Sequence, residues 1–268
     1  MAKIHPSAVV EKDVRLGQDV AIGPNCVVRG GVSIGDSTVL EANVVIEKGV
    51  QIGKENRFYP NCVIGALPQM LGLGDREIGG IVIGDRNIFH EQVTIHPSIH
   101  AGGSTKVGND NFVMVGVHLG HDTMIGNCLV MSNYVQISGH CHIEDGVWLS
   151  GLAGAHQFVT IGKWSYIAGL AGISKDVPPF VTVSGHYPPR VRGVNKRGLV
   201  RAGFSEEQQE RIIAAYKRLY RRGGALLENA RALAQEDGLD ENVMALIEAI
   251  TRSSQHRYGR YLELFRHG

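Results

Sequence analysis

The stretch IGPNCVVRGGVSIGDSTVLEANVVIEKGVQIG, residues 22–53, carries an aliphatic residue at every sixth position: Ile22, Val28, Ile34, Leu40, Ile46 and Ile52. The same phase runs from Ile4 to Ile64, eleven aliphatic or Phe residues in succession, five of them followed by Gly. It breaks at ALPQMLGLGDREIGGIV, residues 66–82, and resumes in a new phase at Ile83, from which sixteen of sixteen such positions up to Ile173 are apolar. In a chain that is 43% hydrophobic such runs are not chance. A helix repeats every ~3.6 residues and a strand every ~2, so neither accounts for the period. Short strands joined by tight turns do, each sending one aliphatic into a narrow core. Cys26 and Cys62 fall four after an inward aliphatic, where Val14, Val20, Val32, Val44 and Val50 stand in other repeats, and read as small core residues rather than reactive thiols.

Composition bounds the function. The 268 residues carry a net charge of +1, so no global field argues for nucleic acid or an anionic membrane as partner. The N-terminus lacks the apolar core of a signal peptide, and no run approaches the roughly 18 apolar residues of a membrane span. The four cysteines form no CxxC pair, which points to a reduced, cytoplasmic setting. At SKDVPPF, Pro178 and Pro179 stop the strand ladder. After a linker, SEEQQERIIAAYKRLYRR opens on a capping box, Ser205 with Gln208, and continues at helical spacing; further helices are predicted near 225–236, 240–253 and 256–266. Two units follow: a repeat domain over 1–189 with an inserted loop near 66–82, and a linker with a small α-helical domain over 190–268.

The repeat resembles the left-handed parallel β-helix of the hexapeptide-repeat proteins, in which three strands, about 18 residues, make one coil and residues one coil apart stack at roughly 4.8 Å. That geometry sorts the histidines, of which eight lie between residues 90 and 156. His90, His96 and His156 directly follow an inward position, while His100, His118 and His142 precede one. His100 lies 18 before His118, so these two are expected to stack; Asp122 lies 18 before His140, so His121, Asp122 and His140 are expected to converge at one corner. A histidine with a carboxylate to fix its tautomer suits a general base near neutral pH. A solenoid surface has no deep pocket, which calls for a partner chain to wall the site. The γ-class carbonic anhydrases use this scaffold with a His-x4-His pair; His118-x2-His121 and His140-x-His142 depart from it and no cysteine joins them, so no metal is expected.

GHDTMIGN, ISGHCHIED, GLAGAHQFVTIG, SKDVPPF and RAGFS occur in this order over nearly the whole chain. Together they resemble the acyl-ACP:UDP-N-acetylglucosamine O-acyltransferase family. The resemblance implies a cytoplasmic homotrimer with sites between subunits, opening lipid A biosynthesis. It needs no bound cofactor, and an acyl carrier protein thioester is its donor. His121 matches the family's general base, Asp122 its orienting carboxylate, and the Gly139 N–H its oxyanion donor. Gln69, His96, His118, His140, His156, Gln157, Asn195 and Arg201 match substrate-binding positions, and Gly169 the acyl-length position, where glycine leaves the groove open. Arg190, Arg192, Lys196, Arg197 and Arg201 lie within twelve residues free of acid, fitting a diphosphate. Arg218, Arg221 and Arg222 fit either an acidic carrier protein or a solvated helix face. The inserted loop departs from the family: Met70 and Gly72 stand in place of aspartate and lysine, Arg197 where an acid is common, and Ala202 where a second arginine is common. Three activities therefore stay open: ester formation, amide formation on a 3-amino sugar nucleotide, or nucleotide and carrier binding without turnover.

Overall fold

The computed structural model describes residues 1–266. Each hexapeptide forms one short strand followed by a tight turn, and the strands stack, all but the last in parallel, into three sheets of eleven, nine and eight strands, the sides of a three-sided solenoid. Inward residues register one above another, Ile22 beside Leu40 and Val28 beside Ile46, and all four are buried. Burying one such side chain contributes about 1.5–3 kcal/mol, so the column of aliphatics is the main source of stability. Cys26, Cys62 and Cys141 are buried among them, and burial pushes the thiols of Cys62 and Cys141 up to about 12. Corner residues take left-handed backbone, as at Asn25, Asn43 and Asp122, with φ of 56°, 59° and 59°. Asn and Asp tolerate that region best.

Two insertions interrupt the coils, and only one is visible as a change of phase. Phe58 pairs with Phe89 across an insertion that makes the coil 31 residues long instead of 18. Thirteen extra residues are not a multiple of six, so the repeat restarts in a new phase. A second insertion, around residues 97–103, lengthens the next coil to 24 residues, so that Thr94 pairs with His118. Six extra residues leave the phase unchanged. Ala101, counted as inward from the sequence, is therefore exposed in a turn, and the expected stacking of His100 on His118 does not occur.

A ladder of buried asparagines ties these coils together. Asn56 Oδ1 accepts from the Asn87 backbone N–H and side chain, both at 2.9 Å. Asn87 Oδ1 accepts from Asn111 N–H at 3.0 Å, and Asn111 Oδ1 from Leu129 N–H at 2.8 Å.

The first sheet ends in Val181–Ser184, against which Arg190–Val194 lies antiparallel, so part of the linker is a strand. Helix α1 (Lys196–Arg201) is capped by Asn195; α2 (Glu206–Tyr220) carries the complete Ser205–Gln208 capping box; α3 (Leu226–Leu233) and α4 (Glu241–Ser253) follow. The stretch expected to be helical over 256–266 forms only a 3₁₀ turn, Tyr261–Phe265. It is tied back to the solenoid: Asp176 N–H donates to Gly259 O at 2.7 Å, Tyr261 N–H to Asp176 Oδ2 at 2.9 Å, and Arg260 to Ser174 O at 3.0 Å. Among the described residues no helix is long and apolar enough to cross a membrane.

Asn87→Ala removes the acceptor and donor at the middle of the asparagine ladder, leaving buried amides of neighbouring coils unpaired. It is expected to destabilise the fold by about 1–3 kcal/mol in denaturant unfolding. A loss below a few tenths of that would mean the ladder is passive.

Candidate active site

Asp122 sits at a solenoid corner, and the silent second insertion wraps around it. Ser98 Oγ–H donates to its Oδ1, Ile99 N–H donates to Oδ2 at 3.1 Å, and its own N–H donates to Thr105 Oγ1 at 2.8 Å. Oδ2 also accepts from His121 Nδ1 at 2.8 Å. Burial works to raise the carboxyl's pKa, but the hydrogen bonds from His121, Ser98 and Ile99 outweigh it and hold it at about 2. An ionised carboxylate only accepts, so the proton of His121 resides on Nδ1 and Nε2 is left as the basic nitrogen.

The next coil sets His140 at the same corner position, with φ of 60°, and the coil after that sets Phe158 there, with φ of 66°. The His140 ring stacks on Phe158, centroids 4.5 Å apart, and meets His121 edge-on at 4.8 Å. His118 shares a hydrogen bond of 3.0 Å with Thr94 Oγ1 and lies 5.1 Å from His96. Burial first, then neighbouring imidazoles, brings His118 down to about 4; burial likewise brings His140 to about 4, against the pull of Asp122. His96 reaches the first insertion: its Nδ1 lies 2.9 Å from Ala66 O and 3.0 Å from Leu67 O. Carbonyls only accept, so Nδ1 carries the proton, and the buried Nε2 has no hydrogen-bond partner among the described residues. Gly139 lies beneath the His121 ring, where a Cβ would stand 2.6 Å from Cε1 and 2.7 Å from Nε2. Among the described residues no backbone carbonyl accepts the Gly139 N–H.

Two cavities open beside His121. The smaller, about 220 Å³, is bordered by His96, His118, Gly139, Gln69 and Gln157. The larger, about 600 Å³, shares Gln69 and Gln157 and adds Met70, Leu71, His140 and Phe158. Its rim also includes Phe265 and Arg266, the guanidinium standing 5.7 Å over Phe158. A third cavity, about 740 Å³, lies on the first sheet against α1 and shares no residue with these two. Asn195, Arg197 and Arg201 line it with Trp148 and Tyr166, and Arg201 stacks on Trp148 at 4.4 Å.

The structure thus gathers His121, Asp122, Gly139, Gln69, His96, His118, His140 and Gln157, and places Asn195 and Arg201 elsewhere on the same chain. His156 borders neither cavity beside His121; its Nδ1 lies 3.0 Å from Gln157 O. Gly169 is on an exposed corner beside Leu170, in a column with Leu152 and Tyr134, which are 69%, 59% and 49% exposed. Arg218 is engaged by Glu236, while Arg221 and Arg222 are exposed. Sequence reasoning missed Ser98 and Ile99, because the insertion carrying them keeps the phase, missed Thr105 on the strand that follows it, and missed Phe265 and Arg266, which arrive from far along the chain. It also missed the one group of possible metal donors that forms among the described residues, His100, Asp122 and His140.

The folded-state pKa values of His118 and His140 lie below the ordinary 6.5, so the unfolded chain binds more protons between pH 6.5 and 4. Stability is therefore expected to fall as pH drops through that window, and, for Asp122, again from 3.8 toward 2. The check is Tm against pH for wild type and the His118→Asn/His140→Asn double variant. The variant should show the shallower slope between pH 6.5 and 4, and equal slopes would contradict the assignment.

Residues 176–259 match the family described as UDP N-acetylglucosamine O-acyltransferase, domain 2, and residues 31–66 and 13–48 match hexapeptide-repeat families. An acyl-[acyl-carrier-protein]–UDP-N-acetylglucosamine O-acyltransferase of Stenotrophomonas maltophilia is 42% identical over 94% of this chain and 96% of its own. Its namesake from Aliivibrio salmonicida is 46% identical over 88% of this chain and 89% of its own. The solved UDP-N-acetylglucosamine acyltransferase of Francisella novicida superimposes with a TM-score of 0.87 at 36% identity, covering 96% of this chain and 92% of that one. Because relatives of this description match over most of both chains and a solved one shares the fold, the chain belongs to the acyl-ACP–UDP-N-acetylglucosamine O-acyltransferase family.

Proposed function

We propose that this chain moves an acyl group from an acyl carrier protein thioester to the 3-hydroxyl of UDP-N-acetylglucosamine, the opening reaction of lipid A biosynthesis, with His121 as general base. One observation carries the assignment. An ionised, triply hydrogen-bonded Asp122 fixes the proton of His121 on Nδ1, which leaves Nε2 basic above Gly139. Nε2 takes the hydroxyl proton as the sugar oxygen attacks the thioester carbonyl carbon. The carbonyl oxygen becomes an oxyanion that the Gly139 N–H is placed to receive. Collapse of the tetrahedral species expels the pantetheine sulfur, which recovers the proton from the imidazolium. Asp122 stays ionised throughout and stabilises that imidazolium. A positioned base contributes roughly 10²–10⁴ in rate, and one oxyanion donor about 10²–10³.

The remaining residues divide between the two ends of the acceptor. His96 Nε2, buried and without a partner among the described residues, suits a sugar hydroxyl, with Gln69, His118 and Gln157 around it. The cavity of Asn195, Arg197 and Arg201 has the cations and aromatic face that a nucleoside diphosphate calls for. Because it lies apart from His121 on the same chain, we assign it to the site of a neighbouring chain in a homotrimer, which sedimentation at a mass of three chains would check. Exposed Arg221 and Arg222 offer charge to an acidic carrier protein in the cytoplasm, and Gly169 leaves the apolar column of Leu152 and Leu170 open to the acyl chain. Amide formation on a 3-amino acceptor is the second reading, favoured by Met70, an apolar residue where the family has aspartate, on the wall of the cavity beside His121.

The test is product detection by mass spectrometry with a panel of acyl carrier protein thioesters, offering UDP-N-acetylglucosamine and its 3-amino analogue separately. Ester product is expected in wild type, with turnover reduced by about 10² or more in His121→Ala and thermal stability nearly unchanged. Turnover surviving that substitution refutes the base; a clear preference for the amine moves the chain to the second reading; no product from either acceptor refutes both.

A further inference from the structure

We propose that His100, Asp122 and His140 form a binding site for one divalent cation of the zinc class, whose occupancy reversibly stops acyl transfer. One donor atom from each residue, two imidazole nitrogens and a carboxylate oxygen, lie within 4.8 Å of one another. A tetrahedral zinc ion with bonds of about 2.1 Å sets its donors about 3.4 Å apart, so an adjustment of little more than an ångström closes the cage. His100 is able to supply it: the residue is exposed, on the inserted turn. Neither ring nitrogen of His100 or His140 has a hydrogen-bond partner among the described residues, so coordination breaks no existing bond there. The rings already lie close, tilted at 53° with centroids 6.0 Å apart.

The fold preorganises the set. Asp122 and His140 occupy the same corner of successive coils, and the insertion that delivers Ser98 and Ile99 to Asp122 also delivers His100. Asp122 stays ionised and His140 neutral at pH 7, which are the ligating forms, and the geometry stands without them. Two imidazoles with a single carboxylate favour zinc over magnesium or calcium, which want oxygen. Three protein donors leave a position for water, facing the cavity beside His121. The groups facing this site are His121 on the same coil and the guanidinium of Arg266 over Phe158, the latter opposing a cation. A bound ion draws the carboxylate toward itself, withdraws charge from the Nδ1–H of His121 and blocks the approach of substrate to Nε2.

The inhibitory half rests on the reading of His121 as base; the binding half does not, and the two are measured separately. Chelator-stripped full-length protein is titrated with Co²⁺ while its visible d–d absorption is followed, and then with Zn²⁺ in competition. One equivalent per chain is expected. His100→Asn and His140→Asn should each weaken binding about tenfold or more, while His121→Ala, which removes no ligand, still binds one equivalent. In parallel, each protein's turnover with Zn²⁺ is divided by its own turnover with chelator. That ratio should fall about tenfold in wild type at a concentration that leaves His100→Asn near unity. Absence of a d–d band, or undiminished affinity in His100→Asn, overturns the site. Stoichiometric binding with a wild-type ratio near unity overturns the regulation. Turnover surviving in His121→Ala overturns the base alone, and the titration still stands.

Discussion

Everything at this site depends on one carboxylate being held ionised where burial alone would neutralise it. Ser98, Ile99 and His121 all donate to Asp122, and Thr105 anchors its backbone. With those bonds its oxygens can only accept, and that single fact fixes the tautomer of His121 and the direction in which it is basic. The site needs little else from the protein interior. It is assembled from corner residues and one loop, while the aliphatic column beneath supplies rigidity.

A solenoid with a constant coil converts sequence spacing into stacking, so chemistry accumulates at a corner by repetition. Asp122, His140 and Phe158 hold the same backbone conformation on three successive coils. That gives a carboxylate, an imidazole and an aromatic face in a column, with His121 lodged against the first two. The left-handed backbone itself is general to the solenoid's corners, from Asp13 to Phe180 and at Leu152, Trp164 and Leu170 alike, so it marks the corner and the side chains make the site. Depression of His118 and His140 to about 4 follows from the same crowding, since charging either means charging a half-buried ring beside other imidazoles. His118 and His140 thus stay neutral beside His121, and Asp122 is the charged group hydrogen-bonded to it.

How much of this was legible in the sequence depended on arithmetic. The repeat, the corner meeting of His121, Asp122 and His140, and the capping box at Ser205 all follow from spacing, because their geometry is local or recurs every coil. The loop after Ile64 declared itself because thirteen extra residues shift a six-residue phase. The next insertion adds six and shifts nothing. It therefore hid Ser98, misplaced His100 against His118, and counted Ala101 as core. Contacts across large separations were invisible for a different reason: the tie of Arg260 to Ser174, which brings Arg266 to the cavity, spans 86 residues and leaves no periodic trace. Helix α1, six residues with a glycine inside and an asparagine cap, is too short to show a helical period.

The measurement that bears most directly on this account is the steady-state kinetics of Asp122→Asn. The asparagine amide keeps the size of the carboxylate and, with its oxygen toward Ile99 N–H and its NH₂ toward Ser98 Oγ, keeps an acceptor for His121 Nδ1 but removes the negative charge. If the ionised carboxylate stabilises the His121 imidazolium, kcat is expected to fall by roughly 10²–10⁴ while KM for the sugar nucleotide holds and the thermal transition stays cooperative. A variant that keeps near-native kcat would contradict the account, because His121 would then act as base without the charge of the carboxylate on which the rest of the argument is built.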